Sequence, residues 1–208
     1  NQNSIKIIIA DQLIPDIPSS SIIDNPEILG GTHGIKVHSV INNILTQAGI
    51  TNVEYINLVL FDNNGRSTSA LLVKLGQYIL EQLESGNWSP SDKIIINFSA
   101  NLITGNSQIA GSAVNLKELW GRLLGSTVGN SPYIPYDNVL LVSAAGNQNI
   151  ESQRNVFPGE VAFAAEITVA GTEQCFERAW TNTNSSSTYY EIATESENIL
   201  TNDGDNFF

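Results

Sequence analysis

The chain contains no methionine, a single cysteine and only nine basic residues among 208. Each shortage excludes something. With Cys175 alone, neither an intramolecular disulfide framework nor a cysteine-rich zinc module can form. Nine Lys and Arg set against 21 Asp and Glu leave a formal net charge of −12. A surface of that sign repels phosphate backbones and argues against general nucleic-acid binding. Long apolar runs are missing as well. Ile7-Ile8-Ile9-Ala10 is bounded by Lys6 and Asp11, and Val139–Val142 is equally short. Neither approaches the ~20 apolar residues of a spanning helix. No basic, apolar, small-residue leader opens the chain, which leaves the compartment open between secreted and cytoplasmic. The absent initiator methionine implies a processed chain or a piece of a larger one. What is present is a 41% apolar fraction and a length ample for one domain with a sizeable core.

Four short segments read as buried parallel strands: Ile5–Ala10, Asn57–Phe61, Lys93–Phe98 and Val139–Ala144. Each is rich in Ile, Val or Leu on both faces of the alternation, as strands covered by helices on both sides should be. Ala165–Ala170 is a fifth candidate. Between them, Gly34–Gln47 and Ser67–Leu83 space their apolar residues for helices, the second with Ser67 or Thr68 as cap. Leu116–Leu124 is a shorter helix, preceded by a loop rich in Asn, Gly and Ser (Asn101–Gly111). Beyond Ala170 the pattern weakens, and Thr181–Thr188 reads as an exposed polar loop or turn. No internal repeat or domain boundary stands out, so residues 1–208 read as one domain.

Strands alternating with helices predict an α/β fold: a doubly wound, mostly parallel sheet with helices on both faces. Ligands in such sheets gather at the carboxyl ends of the strands. Those ends carry Asp11, Asp62–Gly65, Ser99–Asn101 and Gly146–Asn149. Asp11 suits a helix cap or turn, or alternatively a metal, a ribose hydroxyl or a histidine. His33, between Gly30-Gly31-Thr32 and Gly34, opens a predicted helix. The positive end of the helix dipole favours a neutral ring there, the form a general base needs. An exposed loop histidine is the plain alternative. Asn147 follows Ala144-Ala145-Gly146 and either donates its amide to a developing oxyanion or simply makes a turn.

Order and placement join these residues. A strand-end Asp, a His-Gly opening a helix and a later Ala-Ala-Gly-Asn resemble the subtilisin-like serine peptidases. That family's V-I-D-T-G-I is similar to Ile8-Ile9-Ala10-Asp11-Gln12-Leu13-Ile14. Its H-G-T-H-V-A-G resembles His33-Gly34-Ile35-Lys36-Val37-His38-Ser39, and its N-M-S-L-G resembles Asn97-Phe98-Ser99-Ala100-Asn101. Ala144-Ala145-Gly146-Asn147 matches A-A-G-N residue for residue. Phe157-Pro158 and Ile167–Gly171 resemble Y-P…I-A-V-G, and Ile192–Thr194 with Asn198–Leu200 resemble a degraded A-P-G…I. The chain departs from the pattern at Gln12-Leu13, Lys36, His38, Ala100-Asn101 and Thr194-Glu195. The serine motif G-T-S-M-A is absent. In family order it would fall after Ile199, and no Gly-Thr-Ser occurs in the chain.

The resemblance implies a subtilisin-like three-layer sandwich, incomplete at its C-terminus. It implies peptide hydrolysis by Asp-His-Ser acyl transfer, with Asp11 orienting His33 and Asn147 donating to the oxyanion. Ser99, Ala100 and Asn101 would bind substrate backbone, and Ala144, Ala145 and Gly146 would floor the specificity pocket. The expected partners are a peptide or protein substrate and a C-terminal fragment carrying the serine. No cofactor is required and no metal site is assigned, although calcium is compatible with the oxygen-rich loops Asp62–Gly65 and Asp203–Asp205. His33 and His38 lack the i, i+4 spacing of a zinc helix. Competing readings are a non-catalytic peptide-binding relative or interaction module, which requires no Asp11–His33 bond, and a nucleotide-binding domain. No phosphate loop follows any strand to support the last.

Overall fold

Ile5–Asp11 (β1) buries six of its seven residues, as a strand covered on both faces must. It pairs in parallel with Val53–Val59 (β3) on one side and Lys93–Phe98 (β4) on the other. Ser19–Ser21 (β2) lies outside β3. Val139–Ala144 (β6), Glu166–Glu173 (β8) and Ile192–Glu195 (β10) continue the sheet beyond β4, all parallel. Arg178–Ala179 (β9) pairs antiparallel with β8. Leu102–Ile103 (β5) and Val156–Phe157 (β7) form a separate antiparallel pair. The strand order is β10-β8-β6-β4-β1-β3-β2. This computed structural model describes residues 4–21, 31–100, 102–103, 109–125, 136–144, 156–157, 163–173, 178–179 and 192–195.

Alternation along β1 divides the core. Ile7 and Ile9 point to one face, where they pack with Ile14 and with Val37 of His33–Gln47 (α1). Ile8 and Ala10 point to the other, beneath Ser69–Glu84 (α2) and Ile109–Leu124 (α3). The expected α/β sheet with helices on both faces is therefore present. On the α1 side, Ile95, Leu140, Val142, Ile167 and Val169 are only half-buried. They continue the row of Ile7 and Ile9 across the parallel register.

The two helices on the opposite face meet closely. A side chain at Gly76 of α2 would come within 2.9 Å of Leu119 Cδ2. Trp120 fills the space beside it, fully buried, and its indole N–H donates to the Leu72 carbonyl at 3.3 Å. Trp120→Ala should therefore cost ~3–5 kcal/mol, combining lost burial with an unfilled cavity. A drop in the urea unfolding midpoint at unchanged slope would verify this.

Several element limits differ from the sequence expectation. Helix α3 begins at Ile109, within the stretch expected to be a loop. Its first turns hold the small residues Ala110-Gly111-Ser112-Ala113, which read as loop, and the buried Leu116, Trp120, Leu123 and Leu124 follow. Strand β3 starts at Val53 rather than Asn57, because exposed Glu54 is tolerated where it pairs with Lys6. Strand β8 runs Glu166–Glu173, and its Glu166 is buried through hydrogen bonds from the Ser143 hydroxyl at 2.7 Å and that of Thr168 at 3.5 Å. The three serines of β2 carry no apolar signal at all. Helix α2 starts at Ser69 behind Thr68, whose hydroxyl accepts from the Leu71 N–H at 3.3 Å. The Thr181–Thr188 tract lies outside the described residues.

Candidate active site

Strand β1 ends on Asp11, whose side chain is 2% exposed. Its carbonyl accepts the Leu60 N–H at 2.9 Å, which pins the strand end to the chain following β3. Its carboxylate accepts the Gln12 N–H at 2.7 Å through Oδ1. Helix α1 opens with His33, and Nδ1 of its ring lies 2.9 Å from Asp11 Oδ1 and 2.8 Å from Oδ2. An ionised carboxylate only accepts, so Nδ1 carries a proton. In the neutral ring Nε2 then keeps its lone pair, as a proton acceptor must. The imidazole is 43% exposed although its partner is buried.

The pair borders a cleft of about 510 Å³. Gln12 and His33 form one side, Phe61 and Asn63 another, and Ser99 and Ala100 at the end of β4 a third. Chain order reverses between β1 and β4, and the cleft lies at the carboxyl ends of both, where open parallel sheets bind ligands.

The His33 pKa is raised above the ordinary 6.5. The hydrogen bond to Asp11 raises it, burial opposes, the Asp11 charge adds to the rise, and Lys36 opposes. The helix dipole was expected to favour the neutral ring. The adjacent carboxylate reverses the sign, because it touches the ring directly while the dipole acts at longer range. A raised folded-state value means that charged His33 stabilises the fold below 6.5, and that this contribution is lost as pH rises through the raised value. The Asp11–His33 coupling in a double-mutant cycle should thus be larger at about pH 6 than at about pH 9. Equal coupling at both would contradict the ion pair.

Other anticipated residues fall as follows. Ser99 and Ala100 line the cleft, and the Ser99 hydroxyl donates to Asn97 Oδ1 at 2.9 Å. Ala144 ends β6 and is half-buried. Asn101, Ala145, Gly146 and Asn147 lie outside the described residues. Asp62 Oδ1 accepts the N–H groups of Asn64 and Arg66, both at 2.8 Å, so this loop is a side-chain-stabilised turn. Among the described residues no group of three or more His, Cys, Asp or Glu side chains converges on a metal position. His38 turns away from the cleft chemistry and meets Tyr55 edge-on, with ring centroids 4.6 Å apart. Its pKa is lowered by burial, with Asp16 opposing. No helix of the described residues is long and apolar enough to cross a membrane.

Two contributors were not anticipated. Asn57 is completely buried on β3. Its amide donates to the carbonyls of Ile9 and Gln12, each at 3.1 Å, and accepts the Ile14 N–H at 2.8 Å. It thereby holds the turn that follows Asp11. Its signal was visible as one amide inside the apolar run Tyr55–Leu60. Gln12 is the second, and in the sequence it stood out only as a departure from a motif.

No protein-family model matches the chain, and no curated protein does. Solved structures do. A cold adapted subtilisin-like serine proteinase aligns at TM-score 0.63 and 17% identity, over 99% of this chain and 71% of its own. The fold is subtilisin-like. The prenylagaramide maturation protease PagA aligns at TM-score 0.60 and 17% identity, over 97% of this chain and 67% of its own. Both alignments span nearly the whole of this chain, and the α/β sheet is that of a protease-like fold.

Proposed function

We propose that Asp11 and His33 are the orienting carboxylate and the general base of a subtilisin-like serine endopeptidase, and that a serine supplied by a further segment of the protein completes the site. The observation that carries this reading is the bond from His33 Nδ1 to the buried Asp11 carboxylate at the carboxyl ends of a parallel sheet. The same bond counts against an interaction module, which has no need of it. In the mechanism, Nε2 of His33 takes the proton from the attacking serine and returns it to the leaving amine. Asp11 holds the ring in the Nδ1–H tautomer and stabilises the imidazolium. Asn147 donates to the oxyanion, Ser99–Asn101 pair with substrate backbone, and Ala144–Gly146 floor the primary pocket. The half-buried apolar row of Ile95, Leu140, Val142, Ile167 and Val169 is a suitable seat for the segment bearing the serine.

Acyl transfer by these groups requires no cofactor; calcium would serve structure alone. The chain has no Gly-Thr-Ser motif. Ser185–Ser187 sit in a polar tract with no apolar helical pattern behind them. The 208-residue polypeptide by itself is therefore predicted to lack peptidase turnover.

The test is reaction of the complete gene product with a serine-directed fluorophosphonate. Labelling that disappears in His33→Ala supports the triad. Labelling indifferent to His33 removes it, and absence of labelling favours a non-catalytic peptide-binding relative.

A further inference from the structure

The side-chain amide of Gln12 sits between two backbone groups of opposite kind. Its Nε2 donates to the Asp62 carbonyl at 2.8 Å, and its Oε1 accepts the His33 N–H at 3.0 Å. The residue is buried. One side chain thus ties together the end of β1, the loop after β3 and the first residue of α1. The first N–H groups of any helix lack intrahelical partners. Thr32, the cap by position, makes no side-chain capping bond in this helix. Gln12 supplies the acceptor instead, from a different element.

The surrounding glycines make room for it. Gly31 has φ +97°, and a Cβ there would lie 2.2 Å from Gln12 Oε1. A Cβ on Gly34 would lie 2.6 Å from the Gln12 carbonyl oxygen. The glycines flanking His33 therefore accommodate the residue that follows Asp11. Gln12 also addresses the other partner, since its own N–H donates to Asp11 Oδ1.

We propose that Gln12 is a positioning residue, whose amide clamps the first turn of α1 to the end of β1 and so holds His33 on the Asp11 carboxylate. The proposal rests on the reading of His33 as the base. An amide is required because the site asks for one donor and one acceptor. A carboxylate of the same shape keeps the bond from His33 N–H but sets oxygen against the Asp62 carbonyl. Among the described residues, the charged groups facing the ring are Asp11 from β1 and Lys36 from α1. Asp62, from the loop after β3, is occupied by the N–H groups of its own turn.

The experiment uses two variants and two readouts. Histidine NMR titration of the 208-residue chain follows His33, with His38 as internal reference. Gln12→Ala should move the His33 midpoint down toward 6.5 as the bond to Asp11 loosens, leaving His38 in place. Gln12→Asn, whose amide is one methylene too short to reach both the Asp62 carbonyl and the His33 N–H, should move it down as well, and it carries the test alone if the alanine variant does not fold. In the complete gene product, Gln12→Ala should slow fluorophosphonate labelling by about 10- to 100-fold at unchanged affinity for a reversible peptide inhibitor. A His33 titration unmoved in the folded variants overturns the proposal. Labelling that needs His33 but ignores Gln12 also overturns it, while leaving the peptidase reading intact. Shifted titration without labelling in any variant supports the clamp and removes the peptidase reading.

Discussion

His33→Ala, made in a protein that also carries the nucleophile, should lower turnover of a peptide substrate by ~10⁶-fold, the scale on which one member of such a triad fails. Without Nε2 the attacking hydroxyl must give its proton to water, and the leaving amine must take one from water. Oxyanion stabilisation and substrate binding remain, so a residual rate of ~10³ over the uncatalysed reaction should persist. KM should change little, because the ring acts on the transition state. The fold should survive, since the imidazole is 43% exposed. Steady-state kinetics beside a far-ultraviolet circular dichroism spectrum separate these effects. Turnover within tenfold of the unsubstituted protein would end the assignment of His33 as the base. The pH profile supplies an independent check. The base works only when neutral, and Asp11 raises its pKa. The acidic limb of kcat/KM should accordingly lie above 6.5.

How far the sequence foretold this site depends on where the signal resides. Strand β1 was legible because Ile7, Ile8 and Ile9 are apolar on both faces, and that pattern has one good explanation in an α/β chain. Asp11 was legible because it terminates the run, and His33 because glycines surround it just before a periodic segment. Their hydrogen bond was inferable only through a resemblance, since 22 residues of sequence separation carry no geometry of their own. Strand β2 was invisible: Ser19–Ser21, paired beside Asn57–Val59, contains no apolar residue. The early turns of α3 were hidden by Ala110-Gly111-Ser112-Ala113, small residues that carry no helix-spaced apolar pattern. The sign of the His33 shift was misjudged because a helix dipole can be read from position, whereas contact with a carboxylate requires the fold. Gln12 shows the limit most clearly. As a letter it breaks a motif, and only in three dimensions does it join Asp62 to His33.

Asp11→Asn should reduce turnover by ~10⁴-fold while leaving the backbone in place, and its cause differs from that of removing the base. Oδ1 accepts the Gln12 N–H at 2.7 Å, so the oxygen of the introduced amide should remain there. Its NH₂ then takes the place of Oδ2, which now lies 2.8 Å from His33 Nδ1. A donor in that place requires Nδ1 to accept, which moves the ring proton to Nε2. The imidazole is still present and still faces the cleft, but its outward nitrogen no longer has a lone pair for the serine proton. Loss of the negative charge also removes the cause that raised the His33 pKa. The two consequences point in separate directions: the plateau of kcat/KM falls, while its acidic limb moves to lower pH. Nitrogen-15 shifts of the ring report the tautomer directly, with the protonated nitrogen changing from Nδ1 to Nε2. An Asp11→Asn protein that keeps the Nδ1–H tautomer together with full turnover would show that the carboxylate neither orients nor activates His33. A changed tautomer with full turnover would show that His33 is bystander to the chemistry, which places the base elsewhere.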